Sequence, residues 1–264
     1  MNWKLAKNFC LFLLIGLNIF LFIMLNVSDR KYKLSDEQIS AIINLLDKNN
    51  IKCENVIKKF KPKRQLKFFD TKIDTEKIKK IFAADKENAT NTCLVLGFDK
   101  KKILIFSDYG FNLKFLTPSQ KYVDENDCKK ILKKVKDSAT NFKRDYTVKN
   151  KIVYRQKFLG FIVFDNFMSF TFENGFLKEI SYSFRQPENF FGSAFEIYPP
   201  DMILYEFMKN DDALKNDAYY INKFDFVYKF VDSQKNVASP SYSISYNDNY
   251  KIFFDAFSGN SFSP

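Results

Sequence analysis

The sequence predicts an α+β protein in which a single N-terminal transmembrane helix leads into an ectodomain of antiparallel sheets with packed helices. Three observations predict it. Residues 8–28 run for 21 positions without a charge. Four later segments repeat apolar residues at helical spacing, and most of the remainder alternates with period two between turn residues. Helices gathered on one face of antiparallel sheets are the α+β arrangement.

The apolar stretch, residues 9–27, reaches about 28 Å at ~1.5 Å per residue, close to the ~30 Å hydrocarbon core of a bilayer. A removable signal peptide has a shorter apolar region, about 7 to 15 residues, and a small-residue cleavage site. The chain reads Leu25-Asn26-Val27-Ser28 there, so an uncleaved anchor is expected. Lys4 and Lys7 before the span balance Arg30, Lys31 and Lys33 after it, and flanking charge alone leaves orientation open. Residues 1–8 are then a short N-terminus, 9–27 the span and 28–34 a juxtamembrane linker.

The remainder is long enough for two half-size units, expected at residues 35–145 and 146–264. In the first, Ser35-x-x-Gln38 is a capping box before Ile39, Ile42, Ile43 and Leu46, a helix that ends near Asn49-Asn50. Residues 74–82 form a short helix with Ile78, Ile81 and Phe82 on one side. Residues 92–98 and 103–107 make a hairpin across a lysine turn at 99–102, with 112–116 as a third strand. Residues 124–142 return to helix, burying Cys128, Ile131, Leu132, Val135 and Ala139.

In the second unit, strands are expected at residues 151–158, 162–164, 167–173 and 177–184, the last two joined by Asn174-Gly175, a strong hairpin signal. Pro199-Pro200 lead into a helix over 201–209, capped by Asp201 and packing Ile203, Leu204, Phe207 and Met208. Residues 223–231, 241–247 and 251–256 close the chain as three antiparallel strands.

Phe (32) and Tyr (14) are abundant while Gly (7) and Pro (7) are scarce, which excludes collagen-like, linker-rich and disordered designs. The net charge of +11 is dispersed through Lys in a chain also rich in Asn, Ile and Phe, as AT-rich coding produces. The sharpest basic cluster is Lys58, Lys59, Lys61, Lys63, Arg64 and Lys67; a second is Lys129, Lys130, Lys133, Lys134 and Lys136. A solvated face is the plain reading of each, and contact with anionic lipid headgroups or wall polymer the functional one. No nucleic-acid-reading motif accompanies these lysines, so no nucleic-acid partner is expected. Cys10 lies in the span. Cys53, Cys93 and Cys128 are odd in number without metal-type spacing; they read as buried or idle thiols, with a pairing between two of them left open.

The chain has no histidine. That removes Ser-His and Cys-His nucleophile systems, His-containing metal sites and the commonest general base. Gly-x-Ser-x-Gly, phosphate-cradling and dinucleotide-binding glycine motifs are absent as well. Ser28-x-x-Lys31 abuts the span without its companion motifs. Asp165, Glu173, Glu179, Glu196 and Asp255 lie on strands or their ends, and their spacing singles out no acid/base pair. The expectation is a protein without catalytic residues, metal or cofactor.

Asn18 sits at the centre of the span, where its amide has no water and must find a partner. An amide on another helix supplies one at ~0.6 to 2 kcal/mol per bond, and Gly16 permits close backbone approach. Leu11, Leu14, Ile15, Phe22 and Leu25 share the Asn18 side. These seven residues are the candidate transmembrane contact.

Several motifs together resemble the YycI branch of the YycH/YycI family. They are Met1-x-Trp3 with Lys7, then Leu17-Asn18-Ile19-Phe20-Leu21, and Tyr154-x-Gln156 followed by Gly160-Phe161-x-Val163-Phe164-Asp165-Asn166. The end, Pro240-x-Tyr242-x-Ile244 and Tyr250-x-Ile252-Phe253-Phe254-Asp255-Ala256-Phe257-x-Gly259, is similar to that family's terminal hairpin and to PepSY-like modules. The likeness covers nearly the whole chain and rests on the order of motifs. Tyr242 stands where the family tends to have Trp, and Lys52-Cys53-Glu54 replaces a more apolar, proline-containing stretch. The resemblance implies a cytoplasmic N-terminus and an extracytoplasmic domain with a PepSY-like C-terminal half. It also implies regulation, with a YycH-like partner, of the sensor histidine kinase of the WalK/WalR (YycG/YycF) system controlling cell-wall metabolism. The competing reading is an extracytoplasmic ligand-binding or peptidase-inhibiting module with the helix as a passive tether. A carboxylate-based wall enzyme is the third.

Overall fold

The computed structural model describes residues 3–82, 93–96, 102–116, 123–135, 141–148, 150–209, 218–232, 235–247 and 250–262. Five helices and fourteen strands occur among them, a mixed α+β architecture. The chain divides into two compact units. One takes Met1–Lys63, Phe195–Asp225 and Ser243–Pro264; the other takes Arg64–Ala194 and Phe226–Tyr242. Where the sequence suggests consecutive halves, both units are discontinuous, because strands formed late in the chain pair with segments formed early.

The first unit opens with α1 (Trp3–Lys31), which holds an apolar stretch, Lys7–Met24, long enough for a single membrane span or signal anchor. The helix overruns the expected linker at 28–34. Nothing in Ser28-Asp29-Arg30-Lys31 breaks it, and Lys31 complements the negative end of its dipole. Helix α2 (Asp36–Lys48) starts at the predicted capping box: Gln38 N–H donates to Ser35 Oγ (3.1 Å), and Ser35 N–H donates to Gln38 Oε1 (2.9 Å). Strand β1 (Ile51–Cys53) runs parallel to the start of β11 (Tyr219–Lys229), with Ile51 opposite Tyr219. Helix α5 (Pro200–Lys209) packs against α2 and buries Ile203, Leu204 and Phe207, with Met208 half-buried. Pro200 occupies the first helical position, so Asp201 lies inside the first turn instead of capping it; Pro199 supplies the carbonyl accepting from Ile203 N–H (3.2 Å). The end of β12 (Val237–Tyr246) borders β13 (Tyr250–Asp255), which pairs antiparallel with β14 (Ser261–Phe262). The turn between β13 and β14 uses the terminal motif: Asp255 Oδ1 accepts from Phe257 N–H (3.0 Å) and Ser258 N–H (2.9 Å), and Gly259 takes φ +74°.

In the second unit the strand order is β10 (Pro187–Phe195), β2 (Lys63–Phe68), β12, β11, β8 (Phe161–Glu173), β9 (Phe176–Ser183), β5 (Gly110–Phe115), β4 (Lys102–Ser107) and β3 (Cys93–Leu96). Strands β6 (Phe142–Val148) and β7 (Lys151–Phe158) form a hairpin whose second member pairs with β8. Helices α3 (Thr75–Ile81) and α4 (Glu125–Val135) cover a core of Ile78, Leu104, Leu113, Cys128, Leu132, Met168, Phe170 and Ile180. The turn at Asn174-Gly175 has both residues at positive φ (50° and 82°), as a two-residue hairpin demands.

Four expectations need correcting here. The helix drawn over 124–142 is α4, and Phe142 opens β6, where it packs on the unit's core as a strand residue opposite Gln156. The segments 162–164 and 167–173 are one strand, β8, interrupted by a bulge. The strand containing 223–231 is parallel to β1 and β8 instead of purely antiparallel. Strands β1, β2, β6, β10 and β14 carry no pattern that predicts them. The lysine turn at 99–102, but for Lys102, and residues 136–140 lie outside the described residues.

Candidate functional site: the span and its junction

Helix α1 leaves its apolar window unburied along its whole length among the described residues. Two faces of it are chemically distinct. A shallow groove of about 450 Å³ runs past Phe9, Phe12, Leu13, Gly16, Leu17 and Phe20, and a methyl group placed on Gly16 would meet nothing within 4 Å. Asn18 is two residues further on, hence ~200° around a helix of 3.6 residues per turn. Gly16 and Asn18 therefore face opposite sides of the helix, where their closeness in the chain suggests a single contact. Leu11, Leu14, Ile15 and Phe22 share the Asn18 side; the side chain of Leu25 lies outside those described. The amide is also less needy than expected: Asn18 Nδ2–H donates to the Leu14 carbonyl of its own helix at 2.9 Å. What remains unspent is the acceptor Oδ1 and one N–H.

The junction between α1 and the folded unit is announced by no sequence motif. Immediately after α1, residues 32–34 pair antiparallel with 58–60. Leu34 N–H donates to Lys58 O (2.9 Å), Phe60 N–H donates to Tyr32 O (2.9 Å), and Lys33 faces Lys59. Leu34 is buried, and the Tyr32 and Phe60 rings meet edge to face at 6.1 Å. Lys31 Nζ bonds Glu196 at 2.6 Å, and Tyr32 OH donates to the same carboxylate at 3.4 Å. The Lys31 hydrogen bond and charge hold the Glu196 carboxyl below the usual carboxylate range; reciprocally, the Lys31 ammonium is raised. Capping box Ser35 follows at once. No residue therefore separates the helix from the hydrogen-bonded bridge and the cap of α2 that follow it. The signal available in the sequence was Tyr32-Lys33-Leu34, a single period-two triplet too short to read as a strand.

In the second unit the residues carrying the family resemblance form a polar hub at the β8 bulge. The β7–β8 register steps from Arg155 opposite Phe167 to Gln156 opposite Val163, so Phe164, Asp165 and Asn166 are the extra residues of the bulge. The flanking strand changes at the same place, from β11 beside Ile162 and Val163 to β9 beside Phe167–Glu173. Asn166 donates to Gln156 Oε1 (2.6 Å) and Arg185 O (2.6 Å) and accepts from Arg185 N–H (2.9 Å). Asp165 accepts from Phe230 N–H (2.8 Å) and pairs with buried Lys229 (3.2 Å). Arg155 pairs with Asp145 at 2.8 Å, its guanidinium stacked 3.5 Å from the Phe164 ring centre and donating to the Phe164 carbonyl. Asp145 itself sits at a bulge, where the β6–β7 register shifts between Arg144 and Tyr146. Burial raises the Tyr154 phenol to about 12. Arg155, Asp145, Asn166, Gln156, Asp165 and Lys229 hold one another and the neighbouring backbone in place.

The other candidate carboxylates have similar structural employment. Glu173 pairs with Lys178 (2.9 Å), Glu179 accepts from Asn112 and Ser181, and Asp255 organises its turn. Lys31 of Ser28-x-x-Lys31 is committed to Glu196. Among the described residues no three His, Cys, Asp or Glu side chains approach closely enough to hold a metal. Cys53 and Cys128 are buried free thiols, and burial pushes Cys128 up to about 12; Cys10 is exposed on α1, and the side chain of Cys93 lies outside the described ones. The larger basic cluster is divided: Lys58, Lys59, Lys61 and Lys63 belong to the first unit, whereas Arg64 and Lys67 lie on β2 in the second, Lys67 paired with Glu188 at 3.0 Å. On α4, Lys129 and Lys130 pair with Glu125 (2.9 Å) and Asp127 (3.1 Å) on the solvated face.

No protein-family model matches the chain, and no curated protein matches its sequence. Among solved structures it is similar to an uncharacterized protein from Eubacterium rectale, with TM-score 0.46 and 9% identity over 81% of this chain and 89% of that one. It is also distantly similar to the Bacillus megaterium YpeB C-terminal domain, with TM-score 0.32 and 10% identity over 70% of this chain and 92% of that one.

Proposed function

We propose that this chain is a membrane-anchored, non-enzymatic regulator. Its N-terminus is cytoplasmic, its α+β domain is extracytoplasmic, and it alters the output of a WalK-type sensor histidine kinase through its span, together with a YycH-like partner. The observation that carries this reading is the junction: a helix with an intramembrane amide continues without slack into a bridge closed by Lys33, Lys59 and buried Leu34. Such a connection lets an event outside bias the packing of helices inside, and a ligand shifts a two-state partner only through such differential contact. The amide face of Asn18 is the contact assigned to the kinase.

The test is Asn18→Leu. Loss of an interhelical bond of ~0.6 to 2 kcal/mol shifts a wall-hydrolase reporter by roughly three-fold or more, at unchanged protein abundance. Unchanged output would defeat the helix-contact mechanism. One observation favours a second reading, a PepSY-like ligand-binding or peptidase-inhibiting module on a passive tether: half the Asn18 amide is already satisfied by Leu14. Replacing residues 1–27 with a foreign span separates the two, since the tether reading keeps its activity and the helix-contact reading loses it.

A further inference from the structure

The bridge that fixes α1 to its domain sets two lysines directly opposite each other, Lys33 and Lys59, with Lys58 beside them on the adjacent position. All three are exposed, and none has an ion-pair partner among the described residues. Like charges directly opposite on paired strands destabilise the pair. Carboxylates close to the bridge in the chain or at its junction are otherwise employed: Glu196 is held by Lys31 and Tyr32, while Asp36 and Glu37 sit in the first turn of α2, where they complement that helix's dipole. The fold thus tolerates a concentrated positive charge that it does nothing internally to neutralise.

Its location says what does. If residues 9–27 fill the hydrocarbon layer, the last turn of α1 lifts the chain by ~6 Å and two extended residues add at most ~7 Å. Headgroups occupy roughly 5 to 7 Å on each side of the hydrocarbon, and charge is felt across a further ~8 Å at physiological ionic strength. Lys33 and its partner strand therefore stand no more than roughly 6 to 8 Å above the headgroup layer, inside the range of its charge and on side chains long enough to reach back to it. Tyr32, amphipathic and half-buried, occupies the position of an interfacial aromatic.

We propose that Lys33, Lys58 and Lys59 form a juxtamembrane collar that binds the phosphates of anionic phospholipid headgroups. The inference rests on the reading of α1 as a membrane span. Binding relieves the Lys33–Lys59 repulsion, fixes the height and rotation of the junction over the bilayer, and makes the coupling between span and domain depend on lipid charge. It assigns this role to part of the basic cluster only; Arg64 and Lys67 take no part.

The test uses the full chain in nanodiscs of phosphatidylcholine alone or with phosphatidylglycerol, and measures residue-by-residue amine acetylation by mass spectrometry. Lys33 and Lys59 are expected to react about five-fold more slowly in the anionic discs, the equivalent of ~1 kcal/mol per lysine at a charged surface. Half-molar salt should abolish the protection, and Lys48, at the far end of α2, should not change. Equal rates in both lipids overturn the proposal. So does protection in neutral discs by 10 mM inorganic phosphate, or by added lipoteichoic acid when anionic lipid gives none; the latter reassigns the collar to wall polymer. A chain that enters the discs but shows no protection refutes the collar alone, whereas one that fails to enter refutes the span and the collar together.

Discussion

Replacing Asp145 with alanine is expected to lower the unfolding free energy by about 3 kcal/mol or more. Both side chains of the Arg155–Asp145 pair are nearly buried, at 8% and 6% exposure, so the substitution strands a guanidinium in a medium that solvates it poorly. Stacking on Phe164 and the bond to its carbonyl remain, which places the loss toward the lower end of the 3–5 kcal/mol range for broken buried pairs. The paired variant Asp145→Leu with Arg155→Met removes both charges and should recover most of that stability, because two apolar groups of similar volume need no compensation. Urea unfolding of the chain in detergent reads both numbers. A loss under 1 kcal/mol in the single variant would mean that Arg155 finds water or another partner.

The second large effect is expected at Asn166. It is fully buried and makes three hydrogen bonds, two of them to the backbone of Arg185. Asn166→Leu leaves Arg185 N–H, Arg185 C=O and Gln156 Oε1 without partners, and each unsatisfied buried group costs ~1 to 3 kcal/mol. A loss of about 3 kcal/mol or more should appear as a shift in the urea midpoint with little change in slope. Because the bulge is where β8 changes neighbours from β11 to β9, amide exchange should rise at Ile162, Val163 and Phe167 together. Exchange that rises at one side alone would show that the bulge does not tie the two pairings.

Much of this architecture was legible in the sequence because its determinants are local. The capping box at Ser35 and Gln38, the Asn174-Gly175 turn and the bounds of β7 follow from residues a few positions apart. What escaped is non-local or deliberately irregular. Strand β1 is three residues long and acquires its identity only from pairing with Tyr219–Ile221. Strand β2 turns Leu66 and Phe68 inward but shows Lys63, Arg64 and Lys67 on its remaining positions, so it read as a basic cluster. Strand β10 carries Pro187 at its start and Gly192 at φ +75°, both strand-breaking signals. The β8 bulge appeared as a gap between two strands, correct in position though not in kind.

The candidate site divides the same way. The apolar span announced itself by length, and Asn18 by being polar inside it. That Gly16 faces elsewhere follows from helical angle, a calculation the sequence permits but proximity in the chain disguises. The junction depends on residues 26 positions apart, Lys33 and Lys59, whose meeting no motif encodes.

The interleaved make-up of the two units has a practical corollary for genetics. Strand β11 gives Tyr219–Asp225 to one body and its last residues to the other, and β12 is split likewise at Tyr242. No stop codon before the last segment therefore leaves the anchor-bearing body complete, and one placed ahead of Tyr242 breaks both: ending translation after residue 145 deprives the anchor-bearing body of α5, β13 and β14, and the other body of β7 through β10. Deletion mapping would score truncations ahead of Tyr242 as null wherever the active surface lies, so dissection of this molecule calls for point substitutions or for circularly permuted genes.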